Sequence, residues 1–372
     1  MKRPLIALCT IILMYAAPAS GQDVPPAPKE KFSGYMFGDF FYNVARDPAY
    51  MNGGSLTNSI SSGEKDYQGF LFRRIYFTYD NTISDRFSTR LRLEMDAGRA
   101  RDIKIVPFVK DAYLKWKSII DGGDLIFGIQ PTTAFEVAEG VWGYRSLEKT
   151  TLDLWGAIPS RDFGVALRGK FDESGRVNYW ILVANGNGSK NLPLNKHRRY
   201  EATIHVKPGG EFQFTLTGEF RGQPAIPDPN NAGKTLSNGV LTGSVFAGYG
   251  EPGSFRIGVE SFIQSVANGF TPSTATAPTS LQSLGLSFWG GVNLSPEVEL
   301  VGRYDLFDPN ADADIMAKGN SRNFILGALA WKPDENVTLM PNVEIETYES
   351  APATAAFDAS VTGRLTFYYN FL

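Results

Sequence analysis

Apolar and polar side chains alternate in short runs along most of this chain. In Phe87–Ala97, the residues Phe87, Thr89, Leu91, Leu93 and Met95 form one face, and Ser88, Arg90, Arg92, Glu94 and Asp96 form the other. A period of two sends successive side chains to opposite sides of a strand, so this run predicts a strand between two different media. The pattern recurs in Phe163–Phe171, Tyr200–Val206, Phe212–Phe220, Leu284–Val292 and Val361–Phe371. In a soluble sandwich the apolar face would meet a protein core. In a membrane barrel it meets lipid, and the polar face lines an internal channel.

The connections decide between these architectures. Short links are expected at Ile83–Arg86, Ile119–Asp124, Asp172–Arg176, Lys207–Glu211, Gly250–Ser254, Ser295–Glu297 and Pro333–Asn336, all rich in turn residues. Long links alternate with them, near 46–68, 97–105, 130–162, 186–198, 222–238, 265–280, 307–321 and 350–357. Seven short and eight long links predict an all-β protein, a transmembrane antiparallel barrel of about sixteen strands with both ends on the side of the short turns. Closure removes the unpaired strand edges that lipid cannot satisfy. Aromatics near strand ends (Phe37, Phe40, Phe41, Tyr42, Tyr76, Phe77, Tyr79, Trp116, Tyr304, Phe307, Phe367, Tyr368 and Tyr369) are expected to form interfacial girdles. Consecutive Arg73 and Arg74 defy the alternation, as does Lys110, which shares a parity with Phe108, Leu114 and Trp116.

One long link stands apart. Pro131–Gly164 has no clean period of two, yet it holds Phe135, Trp142, Tyr144, Leu147, Leu154 and Trp155. Those side chains are costly to leave in water, so the stretch is expected to pack against an enclosing wall. Its charges, Glu136, Glu139, Arg145, Glu148, Lys149, Asp153, Arg161 and Asp162, are expected to turn towards a watery space.

The first residues refine the picture. A basic start at Lys2 and Arg3, an apolar run Leu5–Ala17 and the sequence Ala17-Pro18-Ala19 predict a secretory signal peptide over 1–19. Pro25, Pro26 and Pro28 predict an extended periplasmic tether over 20–31, with the barrel occupying 32–372. The single cysteine, Cys9, would leave with the signal, so no disulfide or Cys-based metal site is expected. Losing Lys2 and Arg3 takes the net charge from −3 to −5, which disfavours nucleic acid as a partner.

Candidate chemistry is sparse. The two histidines, His197 and His205, have no marked serine beside them in sequence, and there is no phosphate loop or metal spacing, so no enzyme activity and no cofactor are expected. Asp308–Asp314 has a passing likeness to a calcium loop but lacks its glycine and bidentate glutamate, and is expected to be a solvated external loop. What remains is charge inside the tube. Alternation puts Arg74, Arg90, Arg92, Lys115, Arg168, Arg256, Arg303 and Arg364 on the lumen face, joined by Arg145, Lys149 and Arg161 from the long link. Glu94, Asp96, Asp111, Glu219, Glu260, Glu299, Asp305 and Glu344 share that face. Fixed cations select anions by replacing lost hydration, and guanidinium suits phosphate oxygens.

The motifs Phe72-Arg-Arg-Ile-Tyr76, Val109-Lys-Asp-Ala-Tyr-Leu-Lys-Trp116, Tyr144-Arg-Ser-Leu-Glu-Lys149, Ser160-Arg-Asp-Phe-Gly-Val165, Val183-Ala-Asn-Gly-Asn-Gly188 and Glu299-Leu-Val-Gly-Arg-Tyr-Asp305 with Phe307-Asp-Pro309 run in order along the chain. In these the sequence resembles the phosphate-selective porins O and P. The resemblance implies a sixteen-stranded homotrimeric barrel of the bacterial outer membrane whose third external loop, matched by Pro131–Asp162, folds inward. It implies passive diffusion of small hydrophilic solutes with a leaning towards anions such as phosphate, and basic pore residues matched by Arg73 or Arg74, by Lys110 or Lys115, and by Arg145. The final run Gly363–Phe371 resembles the strand read by the barrel-assembly machinery, although the chain ends Phe371-Leu372. The alternatives are an outer-membrane barrel enzyme and a soluble exported carbohydrate-binding β-protein.

Overall fold

The computed structural model describes residues 30–47, 64–96, 105–189, 196–251, 253–270, 277–311, 321–349 and 357–372. The expected signal peptide, all but the last two residues of the 20–31 tether, and Asp312–Asp314 of the calcium-like stretch lie outside the described residues.

The chain order is β1 (Glu30–Ala45), β2 (Gln68–Thr82), β3 (Phe87–Asp96), β4 (Pro107–Ile120), β5 (Gly123–Pro131), α1 (Glu136–Trp142), α2 (Thr151–Leu154), β6 (Arg161–Lys170), β7 (Val177–Ala184), β8 (Arg199–Val206), β9 (Phe212–Arg221), β10 (Ile226–Pro227), β11 (Thr235–Leu236), β12 (Val240–Glu251), β13 (Phe255–Phe270), β14 (Thr279–Ser295), β15 (Val298–Asp308), β16 (Arg322–Asp334), β17 (Val337–Tyr348) and β18 (Ser360–Asn370). Sixteen of these strands close into one antiparallel barrel, in which each pairs with its chain neighbours and β1 pairs with β18. The two-residue strands β10 and β11 form a separate ladder within the link between β9 and β12. β1 begins at Glu30, so Glu30 and Lys31 belong to the barrel rather than to the tether expected over 20–31. They pair with Asn81 and Asp80 of β2, a continuation of the ladder that the Pro-rich composition upstream concealed.

The seven short links all fall where turn residues predicted them, and every long link leaves from the opposite end of the barrel. Outward positions are apolar. Leu91, Leu114, Phe127, Val165, Ile181, Ile204, Leu216, Leu241, Val245, Ile263, Phe288, Leu300, Ile325, Val343 and Leu365 are all well exposed. An exposed apolar belt on this scale is incompatible with a soluble sandwich and is what a hydrocarbon surround requires.

Two departures from alternation have one cause. Register in the β1–β2 pairing jumps from Phe37↔Arg74 to Gly38↔Phe72, which leaves Arg73 as an extra residue. In the β3–β4 pairing it jumps from Arg92↔Asp111 to Leu93↔Val109, which leaves Lys110 extra. Each is a β-bulge, and the added residue resets the phase of the strand. Arg73 and Arg74 therefore both point inward, the first to Asp39 and the second to Glu94 and Asp96. Lys110 also points inward, 2.8 Å from Glu94, while Val109 and Leu114 stay outside.

The expected girdle needs correction at five rings. Phe37, Phe41 and Tyr76 are buried on the inner face. Phe307 stacks on Trp155 at 4.3 Å, and Tyr368 packs against a cluster containing Trp142. Closeness to a strand end does not determine the face; parity and partners do.

Candidate functional site

Between β5 and β6 the backbone forms two short helical turns instead of a hairpin. The neck is closed by Thr132, whose N–H and hydroxyl donate to the carbonyls of Ser160 (3.2 Å) and Pro159 (2.8 Å). α1 ends at Gly143 in the left-handed region (φ 71°), and the Gly143 N–H donates to the Glu139 carbonyl. A side chain there would also collide with the Arg256 guanidinium. Phe135, Trp142, Leu147 and Leu152, all at 3% exposure or less, form the apolar side of the segment.

That side meets wall residues of distant strands. Trp142, Tyr144 and Leu147 cluster with Phe246 of β12, Trp289 of β14, Val301 of β15, Phe324, Leu326, Ala328 and Ala330 of β16, and Met340 of β17. Phe135, Leu152 and Ile158 cluster with Phe262 of β13.

Polar ties are equally spread. The Thr133 N–H and hydroxyl donate to Glu201 of β8 (2.7 and 2.8 Å), the Thr151 N–H to Glu260 (3.0 Å), and the Tyr144 hydroxyl to Glu299 (2.6 Å). In return Arg73 donates to the carbonyls of Ser146 (2.8 Å) and Leu147 (2.9 Å), Gln264 to Ala157 (2.7 Å), and Arg303 to Lys149. Apart from the Tyr144 and Thr133 hydroxyls, each tie satisfies a backbone group that the absence of regular structure would leave unpaired.

The sequence therefore placed Arg256, Arg303 and Arg364 on the correct face, but they serve the segment. Arg303 is paired with Asp305 (2.5 Å), Arg364 with Glu344, and Arg256 with Glu299 (2.9 Å). The clue missed was β16, where Phe324–Trp331 is apolar at both parities. A strand between lipid and water has no reason to be apolar on both faces, whereas one that receives a packed segment does.

The opposite arc, β2 to β7, stays charged. Three cavities of about 260, 360 and 560 Å³ lie along it, and neighbouring ones share lining residues. The first, towards the long links, is lined by Arg74, Lys110, Arg145, Lys149 and Arg161 with Glu94, Asp96 and Asp153. The second adds Arg90, Arg92, Lys115 and Arg168 to Arg145 and Arg161, with Glu136 and Glu139 as the acidic residues in its lining. The third, towards the short turns, retains Lys115 and Arg168 and adds Lys170, Lys207 and His205. Of the eleven cations expected inside the tube, Arg256, Arg303 and Arg364 line none of the three cavities, and Arg74, Arg90, Arg92, Lys115, Arg145, Lys149, Arg161 and Arg168 line at least one. Lys110, which the alternation had put on the wrong side, joins them.

These charges are paired rather than bare. Arg90 meets Asp80 at 2.7 Å, Lys115 meets Asp124 at 3.8 Å, and Arg168 meets Glu136 at 2.7 Å. Arg161 and Arg92 share the fully buried Asp111. Arg90 and Arg92 thus find their partners on neighbouring strands, and Glu94 belongs to Arg74 and Lys110. Arg145 sits between Glu139 and Asp153, both at 3.3 Å. Burial opposes the Arg145 charge, but these two carboxylates outweigh it and hold the guanidinium above its ordinary pKa. Burial pushes the Glu139 carboxyl up, against the pull of Arg145. Burial would likewise raise Glu148, yet Arg73, Lys149 and Arg364 hold it below the usual carboxylate range. His205 faces Gln213 at 3.0 Å.

No family model matches this chain, and no curated protein does. Solved structures do. The anion-selective porin from Comamonas acidovorans superposes with a TM-score of 0.63 at 10% identity, covering 92% of this chain and 100% of its own. The outer membrane channel DcaP of Acinetobacter baumannii gives 0.63 at 11%, covering 92% and 97%. A trimer form of OmpT, an outer membrane protein of Vibrio cholerae, gives 0.59 at 13%, covering 93% and 100%. Over nearly its whole described length, the chain has the fold of the bacterial outer-membrane porins.

Proposed function

We propose that this protein is an outer-membrane porin through which small hydrophilic solutes diffuse passively, with a preference for anions, phosphate among them. The observation that carries the reading is the local charge of the passage. The chain as a whole is acidic, at −3, yet the middle cavity is lined by six basic side chains and two acidic ones. In a confined space with low-dielectric walls the local balance governs the ions admitted, not the total. The Comamonas porin of the same fold is anion-selective, which agrees with this assignment.

In this reading the segment 131–162 folds into the lumen as the constriction. A short stretch tied at once to β2, β8, β13, β15 and β16 reaches strands around the ring only from within. Arg145 and Arg161, which line both the first and second cavities, would then flank that constriction. The mature chain would begin after a signal peptide of about 19 residues, be inserted by the barrel-assembly machinery through its final strand, and assemble as a homotrimer, as the trimer form of OmpT does.

The test is a planar bilayer separating unequal potassium chloride solutions. An anion-preferring channel gives a zero-current potential of the sign set by chloride, and added phosphate depresses the chloride current. A cation-signed potential refutes the preference. Insertion without conductance refutes the porin assignment itself.

A further inference from the structure

The three cavities differ in what accompanies their charges. In the first, Phe108 is the sole ring among charged and hydroxyl-bearing groups such as Ser160 and Ser189. The middle cavity sets the rings of Tyr35, Tyr113 and Trp180 beside Arg90, Lys115 and Arg168; the third shares Trp180, Lys115 and Arg168 but neither Tyr35 nor Tyr113. The aromatic surface continues outward from Tyr35, whose ring lies 4.7 Å from Tyr76 and 5.6 Å from Tyr368. Arg168 lies over the Trp180 ring at 4.6 Å, so a cation and an aromatic face are presented side by side.

A compact hydrated anion uses only the charged and hydroxyl-bearing part of such a wall. The cations and the tyrosine hydroxyls attract it, but the ring faces displace part of its water and return no hydrogen bond for it. An anion with a flat apolar body is suited by both elements. Its charge meets the guanidinium or ammonium groups, and its body stacks on or edges against the rings, removing apolar surface from water. Size agrees, since 360 Å³ lies at the lower end of the roughly 300–1,000 Å³ typical of small-molecule sites. There is room for a single-ring solute and its remaining water, but not for an oligomer.

We infer that the middle cavity is a subsite for organic anions carrying a planar ring, aromatic carboxylates being the class that fits. The inference rests on the anion-preferring reading above and narrows it from charge to shape.

The experiment measures chloride current through single channels at pH 8 while benzoate or acetate is added. Both are fully ionised carboxylates, and they differ in the ring. Benzoate is expected to halve the current at about a tenfold lower concentration than acetate. In Trp180→Leu, and separately in Tyr113→Leu, that ratio should fall to about threefold or less. Equal half-blocking concentrations in the wild-type channel overturn the subsite while leaving anion preference intact. A cation-signed potential overturns the reading beneath it instead. A benzoate advantage that survives both substitutions shows that the ring is held elsewhere, and overturns the assignment to this cavity. Trp180 is buried in the wall against Ile126 and Leu182, so its loss could impair folding. Tyr113 is only partly buried, and Tyr113→Leu decides the matter in that event.

Discussion

Arg161→Gln is the most informative single change in the passage, because Arg161 combines a shared position between two cavities with low exposure. Its side chain is 16% exposed and its guanidinium meets the buried Asp111. A unit charge about 6 Å from a passing ion contributes roughly 3 kcal/mol at an effective dielectric of about 20, and roughly 0.7 kcal/mol at about 80. Asp111 offsets most of this, leaving on the order of 0.5 kcal/mol with opposite signs for anion and cation, so about 1 kcal/mol, or about fivefold, in the anion-to-cation permeability ratio. Arg168 supplies the comparison. It is 43% exposed and paired with Glu136 at 48%, so water and the partner together screen it. Arg168→Gln should change the ratio by less than about twofold. Removing Arg161 leaves Asp111 with Arg92 at 3.6 Å, so the wall keeps a partner for its buried carboxylate. The assay is the zero-current potential across a tenfold salt gradient, kept at low total salt because the screening length is only about 10 Å at 0.1 M. Equal shifts from the two substitutions, or a larger one from Arg168→Gln, would falsify the idea that selectivity is set where the segment meets β6.

Other outcomes follow from the same geometry. Trp142 is fully buried between the segment and the far wall, and Trp142→Ala should cost the packing about 3–5 kcal/mol. The heat-shifted gel band of the closed barrel should persist while single-channel conductance rises and becomes noisy; a quiet channel of unchanged conductance counts against the packing role. Arg73→Met removes the guanidinium that Asp39 and Glu148 share, at 0% and 1% exposure, and should lower the unfolding temperature on heat-shift gels in proportion to a loss of about 3 kcal/mol. Glu148 is depressed in the folded protein, so its contribution is present above the unfolded-chain pKa and is lost as pH falls through the lower folded value. The wild-type segment should therefore hold to below the ordinary carboxylate range, and in Arg73→Met it should loosen at higher pH, as read by conductance noise. Glu139 titrates above the ordinary range and lines the middle cavity, so anion preference should strengthen as pH drops towards that value, and Glu139→Gln should abolish the slope. A pH profile unaltered by Glu139→Gln would assign the slope to another group.

Much of the barrel was legible because its signals are local. Alternation within a strand and turn residues between strands need no knowledge of distant partners, and Phe87–Ala97 or Lys207–Glu211 declare themselves. Strand parity pointed to Arg74, Arg90, Arg92, Lys115 and Arg168 among the cations that line the cavities. Bulges were not, since the extra residue at Arg73 or Lys110 exists only relative to the neighbouring strand's register. The pairing of Arg145 with Glu139 and Asp153 depends on how α1 and α2 fold, and nothing in the spacing announces it. The inner apolar faces of β12 to β17 were partly readable, in the doubly apolar run of β16. The mistaken girdle at Phe37, Phe41 and Tyr76 came from judging rings by distance along a strand rather than by side.

The bulges at Arg73 and Lys110 have an evolutionary corollary. In an ordinary strand a single-residue insertion is ruinous, since everything beyond it exchanges lipid for water. Here the extra residue is absorbed where it enters, and the remaining residues keep their sides. A barrel tolerant of that event can acquire an interior charge by lengthening its gene by one codon, without giving up any side chain already in place. Deleting Arg73 or Lys110 would be the reverse step, and it should leave the hydrophobic belt unaltered. The composition of such a barrel can thus drift by insertion and deletion as well as by replacement, and aligned relatives would differ in strand length at these two places before they differ in outward residues.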